Sequence, residues 1–470
     1  MLWTSSPGTI VRVEQTLETQ MHVSGSRPLV HAPKLTARQR ELALLLSAFE
    51  ATQDGRTRLA LVAGEPGIGK TRLLDEVAER AIGDGALVLR GRASEAEGMP
   101  PYLPFIEALG QHIRTTDAEV LRAQSAGLAA VLAKLLPELA ARVGELPATY
   151  ALPPEQARLR LFQALAAFIA APARTRPLLL ILDDLHWADP ASLDLLCYLA
   201  RQQQGHEPDA RQAPRLLILG AYRAGEVAQN AAFQRALAEL NRSRMLIPIS
   251  LQPLAEDDVA RLAAGYLSGH VDARLARLLY AQSEGNPFFA EELLRSWIEM
   301  NAVDECDGSW SLRAPIVPAL PATIVGAVRE RVARLAPEVA NLLRIAAVIG
   351  RTFNLPILAE VADEDAELVE ERLRTAHDAQ ILRRDADPMT WTFGHDTIRE
   401  CLYGEVTAVR RRRLHTTIGR ALEARGGEDA QSLAELAFHW AHSDDDARCL
   451  VYARRAAEQA MATYAAHDAL

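Results

Sequence analysis

The sequence predicts an α/β chain: a parallel, doubly wound sheet in the amino-terminal half, followed by helical modules. Three observations predict it. Short apolar runs at 59–63, 86–91, 178–182, 216–221 and 246–251 alternate with stretches of helical period. A glycine-rich loop separates the first of these runs from a helix, and Ala, Leu and Arg dominate in a way that favours helices over strands. The chain has 470 residues, more than one hydrophobic core usually supports.

Residues 1–33 carry Ser, Thr, Gly and Pro without periodicity and read as a poorly ordered leader. An amphipathic helix opens across 35–42, with Thr36 as its N-cap and Leu42, Leu45, Leu46 and Phe49 on one face. Leu59-Ala60-Leu61-Val62-Ala63 is a buried strand, and the helix beyond the glycine-rich loop sets Leu73, Leu74, Val77, Ala78 and Ala81 on one stripe. A second strand at 86–91 precedes a long helical insertion, roughly 103–171, broken at Pro137 and across 147–154. Three more strands follow. Residues 253 to about 300 are helical by pattern, interrupted by the turn Glu284-Gly285-Asn286-Pro287. Across 323–410 helices alternate with short strands, Thr390-Trp391-Thr392-Phe393 among them, and from Leu414 the chain is helical and Ala-rich. There Ala434, Leu436, Ala437 and Trp440, then Tyr452, Ala453, Ala456 and Ala457, mark the packing positions.

A formal net charge of −10 argues against indiscriminate nucleic-acid binding. The run Arg410-Arg411-Arg412-Arg413 distributes its charge around a helix and reads as solvated surface. Cys197, Cys306, Cys401 and Cys449 form no C-x-x-C pair, which fits scattered thiols in a reducing compartment. No apolar run approaches the roughly 20 residues that span a bilayer, and no basic start with an apolar core opens the chain. The expectation is a cytoplasmic protein without membrane partners.

Residues 64–71 read Gly64-Glu65-Pro66-Gly67-Ile68-Gly69-Lys70-Thr71, a complete G-x-x-x-x-G-K-[ST] phosphate loop between a strand and a helix. Its glycines let successive N–H groups face a β-phosphate, Lys70 reaches the β/γ oxygens, and the Thr71 hydroxyl ligates Mg²⁺. Gly64, Glu65, Pro66, Gly67, Ile68, Gly69, Lys70, Thr71 and the adjoining Arg72 form the expected nucleotide-binding set, for ATP or ADP. The strand Leu178-Leu179-Leu180-Ile181-Leu182 ends in Asp183-Asp184, a Walker B pattern. Asp183 is the Mg²⁺ ligand beside Thr71, and Asp184 orients or deprotonates the attacking water, with a shorter reach than a Glu, so that hydrolysis is slow. A helix cap is the structural alternative for either carboxylate. Arg223 follows the strand at 216–221, at the sheet edge where ligands bind, placed to neutralise a γ-phosphate or to pair with Glu226. Lys70, Asp184 and Arg223 are the expected catalytic groups. His186 and Trp187 read as an exposed loop aromatic or a packing pair.

Taken together, GEPGIGKT, LLLILDDLHWADPASLDLL, ILGAYR and Gly285-Asn286-Pro287-Phe288-Phe289 resemble the signal-transduction ATPases with numerous domains, the STAND class. Within it they are most similar to the core of MalT-like, large LuxR-type regulators and related cyclase- and kinase-associated ATPases, also described as an AAA domain like that of the origin recognition complex. The resemblance covers roughly residues 34–470. Where the family has a Gly-Arg-Glu near the first helix, this chain has Ala37-Arg38-Gln39-Arg40-Glu41, leaving Arg38 and Glu41 for part of the adenine-side role. The resemblance implies a P-loop NTPase domain at 34–252, an all-α lid at 253–322, a winged-helix domain at 323–410 and the start of a tetratricopeptide-like helical array at 411–470. It implies Pro287 as a base contact; a proline early in the first turn of a helix is the alternative. It also implies that His395, in Gly394-His395-Asp396, touches the ADP β-phosphate as in a Met-His-Asp motif, with Asp396 as helix cap or orienter; a capping or surface histidine is the alternative. The implied activity is an ADP/ATP conformational switch in transcriptional or signalling regulation. Self-association in the ATP state and an unknown protein or small-molecule inducer go with it, without direct DNA binding by this chain. Two other readings stay open: an origin-recognition-like AAA ATPase acting on DNA, and a non-hydrolysing, nucleotide-bound scaffold.

Overall fold

The computed structural model describes residues 35–463 apart from 36, 56, 95–98, 126, 145, 147–151, 203–212, 245, 307–308, 314–323, 386 and 427–429. The expected leader, the Thr36 cap and the boundary at 322/323 lie outside the described residues. Five parallel strands, β1 (Arg58–Ala63), β2 (Leu87–Arg92), β3 (Leu178–Asp183), β4 (Leu216–Tyr222) and β5 (Leu246–Ser250), form one sheet in the order β2-β3-β4-β1-β5. Each expected apolar run is one of these strands. The central strands β1, β3 and β4 are buried on both faces, as a parallel sheet covered by helices requires, whereas the edge strands β2 and β5 are only partly covered.

Helices α1 (Gln39–Glu50) and α2 (Lys70–Gly83) cover one face. Leu42, Leu45 and Phe49 of α1 and Leu73, Leu74, Val77, Ala78 and Ala81 of α2 are buried there, the stripes that the helical period marks. The opposite face carries α3 (Leu103–Thr115), α4 (Ala118–Ser125), α5 (Ala129–Leu132), α6 (Pro137–Val143), α7 (Pro154–Thr175), α8 (Pro190–Arg201) and α9 (Ala231–Arg242). Pro137 opens α6 instead of merely breaking a helix, because a first-turn proline has no N–H to leave unpaired. Asp189 caps α8, taking the Ser192 N–H at 2.7 Å.

Beyond the sheet, α10 (Glu256–Leu267), α11 (Ala273–Ser283) and α12 (Pro287–Glu299) form a helical lid around Trp297 and Leu279. A small mixed sheet of β6 (His270–Val271), β7 (Val303–Cys306) and β8 (Ser309–Leu312) is attached to it. The helical pattern does not disclose these strands, since β6 is two residues long and β7 is charged. A winged-helix-like module follows: α13 (Ile324–Ala333), α14 (Pro337–Ile349), β9 (Thr352–Asn354), α15 (Leu355–Ala362), α16 (Ala366–Asp378), β10 (Leu382–Arg384), β11 (Thr390–Phe393) and α17 (Asp396–Glu405). Its three short strands pair antiparallel around the fully buried Trp391. Last come α18 (Ala408–Arg425), α19 (Ala430–Ala441) and α20 (Asp446–Ala462), an array resembling tetratricopeptide repeats, with Leu436, Trp440 and Tyr452 in its seam.

Of the arginine run, Arg410 is bonded to Asn341, and Arg411 donates to the Val406 carbonyl while stacking on Tyr403. Arg412 pairs with Asp444. Arg410, Arg412 and Arg413 are exposed, as the solvated-surface reading expects.

At the end of β2 there is no room for a side chain on Gly91: a Cβ would stand 1.6 Å from the Pro104 carbonyl oxygen at the start of α3. Gly91→Ala is expected to lower the unfolding free energy by about 3 kcal/mol through this clash, read from urea denaturation at neutral pH.

Candidate functional site

The functional candidates gather at the carboxyl edge of the sheet because β1, β3 and β4 are adjacent and parallel, so their loops emerge side by side. The phosphate loop leaves β1 with Gly67 and Gly69 in the left-handed region, at φ 76° and 99°, and α2 starts at Lys70. Gly64 donates to the Tyr222 carbonyl, tying the loop to β4. The Lys70 ammonium is buried and donates to the Gly64 and Glu65 carbonyls at 2.8 and 3.0 Å. Burial lowers its pKa, against the pull of Asp184 and Asp183. The Arg72 side chain pairs with Glu291 of the lid at 2.8 Å.

Thr71 and Asp183, 112 residues apart, meet at 3.0 Å, hydroxyl to carboxylate. These are hard oxygen donors on adjoining elements, a set that suits Mg²⁺ with its remaining positions left to phosphate and water. The other Asp183 oxygen accepts the Asp184 N–H at 2.9 Å, which holds Asp184 at φ 54°.

The Asp184 carboxylate is buried and accepts from Arg92 at the end of β2, from Nε at 2.6 Å and also from Nη2. Burial, then Asp183 beside it, pushes its pKa up to about 7, against the opposing Arg92. The backbone N–H of Arg92 donates to Glu107 at 2.8 Å, and burial raises that carboxyl to about 7 as well.

Arg223 is neither exposed nor facing the phosphate loop alone. Its buried guanidinium bonds Glu226 at 2.8 Å and Glu400 of α17 at 3.0 Å, stands 3.6 Å from Asp396, and stacks over Trp187. His186, expected only to pack, accepts the Arg223 N–H at 3.3 Å. Burial, followed by Arg223 and Lys70, lowers its pKa to about 3, so it is a neutral acceptor there.

Asp396 does not cap α17; it is the first residue of that helix, and its carboxylate turns to the sheet edge. There it meets Arg92 at 3.0 Å, Arg351 and Arg223. Arg351 of the winged-helix module also stands 3.6 Å from Asp184. Two carboxylates and three guanidiniums from both modules thus form one cluster. The His395 ring packs on Phe288, with centroids 4.3 Å apart, and burial, then Arg383 and Arg331, lowers its pKa to about 3.

Arg38 is buried and donates to the Gln252 and Ile68 carbonyls at 2.6 and 3.3 Å, clamping α1 to the phosphate loop and the β5–α10 connection. Pro287 opens α12 directly over that loop, next to Asn286, whose amide donates to the Pro66 carbonyl at 3.0 Å. Sequence reasoning missed Arg92, Arg351 and Glu400. Arg92 carries a signal, an Arg at the carboxyl end of a strand beside the Asp183 strand. Arg351 and Glu400 carry none, because only inter-module packing brings them there.

Residues 34–218 match the family model of the AAA ATPase domain. An uncharacterized protein of Rhizobium meliloti (strain 1021) is 26% identical over 425 residues, covering 86% of this chain and 39% of that protein. Hybrid signal transduction histidine kinase G of Dictyostelium discoideum is 26% identical over 183 residues, 36% of this chain and 5% of that protein. The chain therefore spans well under half the length of these relatives. Among solved structures it is similar to the STAND protein with a tetratricopeptide repeat sensor from Pyrococcus horikoshii, at 13% identity and TM-score 0.49, covering 93% of this chain and 55% of that one. It is also similar to the Aeropyrum pernix ORC2 protein, at 13% identity and TM-score 0.33, covering 86% and 97%. No helix among the described residues is long and apolar enough to cross a membrane.

Asp184 titrates near 3.8 when unfolded and near 7 when folded, so its protonated form favours the fold at low pH, and that contribution is lost as pH rises through about 7. Asp184→Asn removes the titration. Its stability relative to the native chain is expected to rise between about pH 4 and 7 and to level off above, measured as urea midpoints at pH 5 and pH 8.

Proposed function

We propose that this chain is an ATP/ADP-switched signalling ATPase of slow turnover, held in the docked arrangement by its winged-helix module. The observation that supports this reading is the capture of Arg92 and Arg223 by Asp396 and Glu400 of α17 at the edge of the sheet. Arg223, one of the groups expected to act in hydrolysis, is thereby committed to another module, and so is Arg92, which clasps Asp184.

In this reading the loop Gly64 to Thr71 and the Arg72 N–H hold the phosphates, Lys70 neutralises the β/γ oxygens, and Thr71 with Asp183 would hold Mg²⁺, which would supply charge neutralisation. Asp184, once Arg92 withdraws, takes a proton from water as the water oxygen attacks the γ-phosphorus and the bond to the β–γ bridging oxygen breaks. Arg223 stabilises the charge on the transferring group. Arg38, Pro287 and His395 shape the base side and the lid. ATP favours an undocked, self-associating form that answers an inducer, protein or small molecule. A nucleotide preference of about 100-fold between the two forms corresponds to about 2.7 kcal/mol.

Freshly purified protein is expected to release ADP on denaturation and to differ in native mass between ADP and ATP. Lys70→Ala is expected to weaken nucleotide binding at least ~10-fold in a fluorescent-nucleotide titration; retained nucleotide on gel filtration would sink the site assignment. Asp396→Asn combined with Glu400→Gln removes both α17 carboxylates that face Arg92 and Arg223 and is expected to raise steady-state turnover by about fivefold or more, in the usual range of inter-site coupling. Turnover that is the same in native protein and Asp184→Asn would instead support the scaffold reading.

A further inference from the structure

Phe288 belongs to two parts of the molecule at once. Its backbone N–H donates to the Gly67 carbonyl at the apex of the phosphate loop, at 3.3 Å. Its ring is buried in the winged-helix core, among residues of α13 to α17, although Phe288 itself lies on lid helix α12. The N-cap of the same helix reinforces the loop contact. Asn286 donates to the Pro66 carbonyl at 3.0 Å while its other side-chain atom caps the Phe289 N–H at 3.3 Å.

The fit leaves no slack. A Cβ on Gly67 would stand 2.9 Å from both Asn286 Oδ1 and the Phe288 Cβ, so loop and lid cannot move independently there. On the far side the Phe288 ring meets the His395 ring at 4.3 Å, with planes inclined 45°. Among the described residues the His395 imidazole makes no hydrogen bond to the phosphate loop; its neighbour on that side is the hydrocarbon ring.

We infer that Phe288 is the positioning residue through which the phosphate loop sets the docking of the winged helix, and that His395 takes part by ring packing on Phe288 instead of by a polar contact with phosphate. This rests on the nucleotide-switch reading and specifies its relay. A phosphate that reorients the Pro66–Gly67 and Gly67–Ile68 peptides breaks two hydrogen bonds to the start of α12. That turn then carries an aromatic ring against, or out of, the module that holds Asp396.

Hydrogen exchange of the full chain, with and without saturating ADP, tests this at two segments, 64–71 and 396–405. In the native chain ADP is expected to slow exchange in both, with about a tenfold effect in the second. His395→Phe, which keeps a ring and removes both nitrogens, is expected to retain the response at 396–405, and His395→Ala to lose it. Phe288→Leu is expected to lose it and Phe288→Tyr to restore it, while the response at 64–71 persists. Loss in His395→Phe equal to that in His395→Ala makes the imidazole the phosphate contact and overturns the inference, as does a full response in Phe288→Leu. If Phe288→Leu does not fold, the histidine pair decides. A native chain that responds at 64–71 but not at 396–405 overturns the relay alone, whereas silence at both overturns the nucleotide reading with it.

Discussion

The contact between Arg92 and Asp184 is the constraint around which the edge of the sheet is organised. A carboxylate this buried needs a cation, and removing one partner of such a pair costs about 3–5 kcal/mol. Arg92 is the last residue of β2 and lies opposite Asp183 in register, so the pairing of β2 with β3 delivers the guanidinium to the Asp184 carboxylate. The same guanidinium reaches Asp396, and Arg223 and Arg351 close the ring. The docking of the winged-helix module and the protonation of Asp184 are consequently parts of one electrostatic problem, since the potential at Asp184 depends on charges that arrive with α17 and with Arg351.

A second tie runs through the lid and is built differently. It uses backbone carbonyls of the phosphate loop, an asparagine amide, a salt bridge between Arg72 and Glu291, and the Phe288 ring. Behind it a buried pair of Glu292 with Arg331 and the donation of Arg331 to the Ala379 carbonyl fasten the lid to the winged-helix module. Ionic contacts at the sheet edge and packing contacts under the lid thus hold the same two modules from two sides. A ligand that alters either side works against both, the arrangement a two-state element needs.

Much of this was legible in the residues. The five strands follow from apolar runs bounded by turn signals, and the helices on one face from stripes such as Leu73, Leu74, Val77, Ala78 and Ala81. The phosphate loop is local chemistry: glycine at φ > 0, then Lys and Thr on the first turn of a helix. Asp183 was legible because a polar residue ends an otherwise apolar strand. Arg223 was legible as a residue at the ligand edge, but its partners were not, because Glu400 and Asp396 stand more than 170 positions away in the chain. Strands β6 to β8 escaped because two- and four-residue segments carry too few alternations to declare a period.

The sequence by itself determined the sheet, the loop that precedes α2, and the identity of the hard-oxygen pair Thr71 and Asp183, because each depends on residues close in the chain or on a periodic pattern. Only the tertiary structure decided that Asp184 is clasped by Arg92, that Arg223 is committed to α17, that Asp396 is an ionic partner and no cap, and that Phe288 stands between the phosphate loop and His395. The physical reason is the same in each case. Charge pairing and close packing act through space, and their partners come from β2, the lid and the winged-helix module, whose meeting no local pattern encodes.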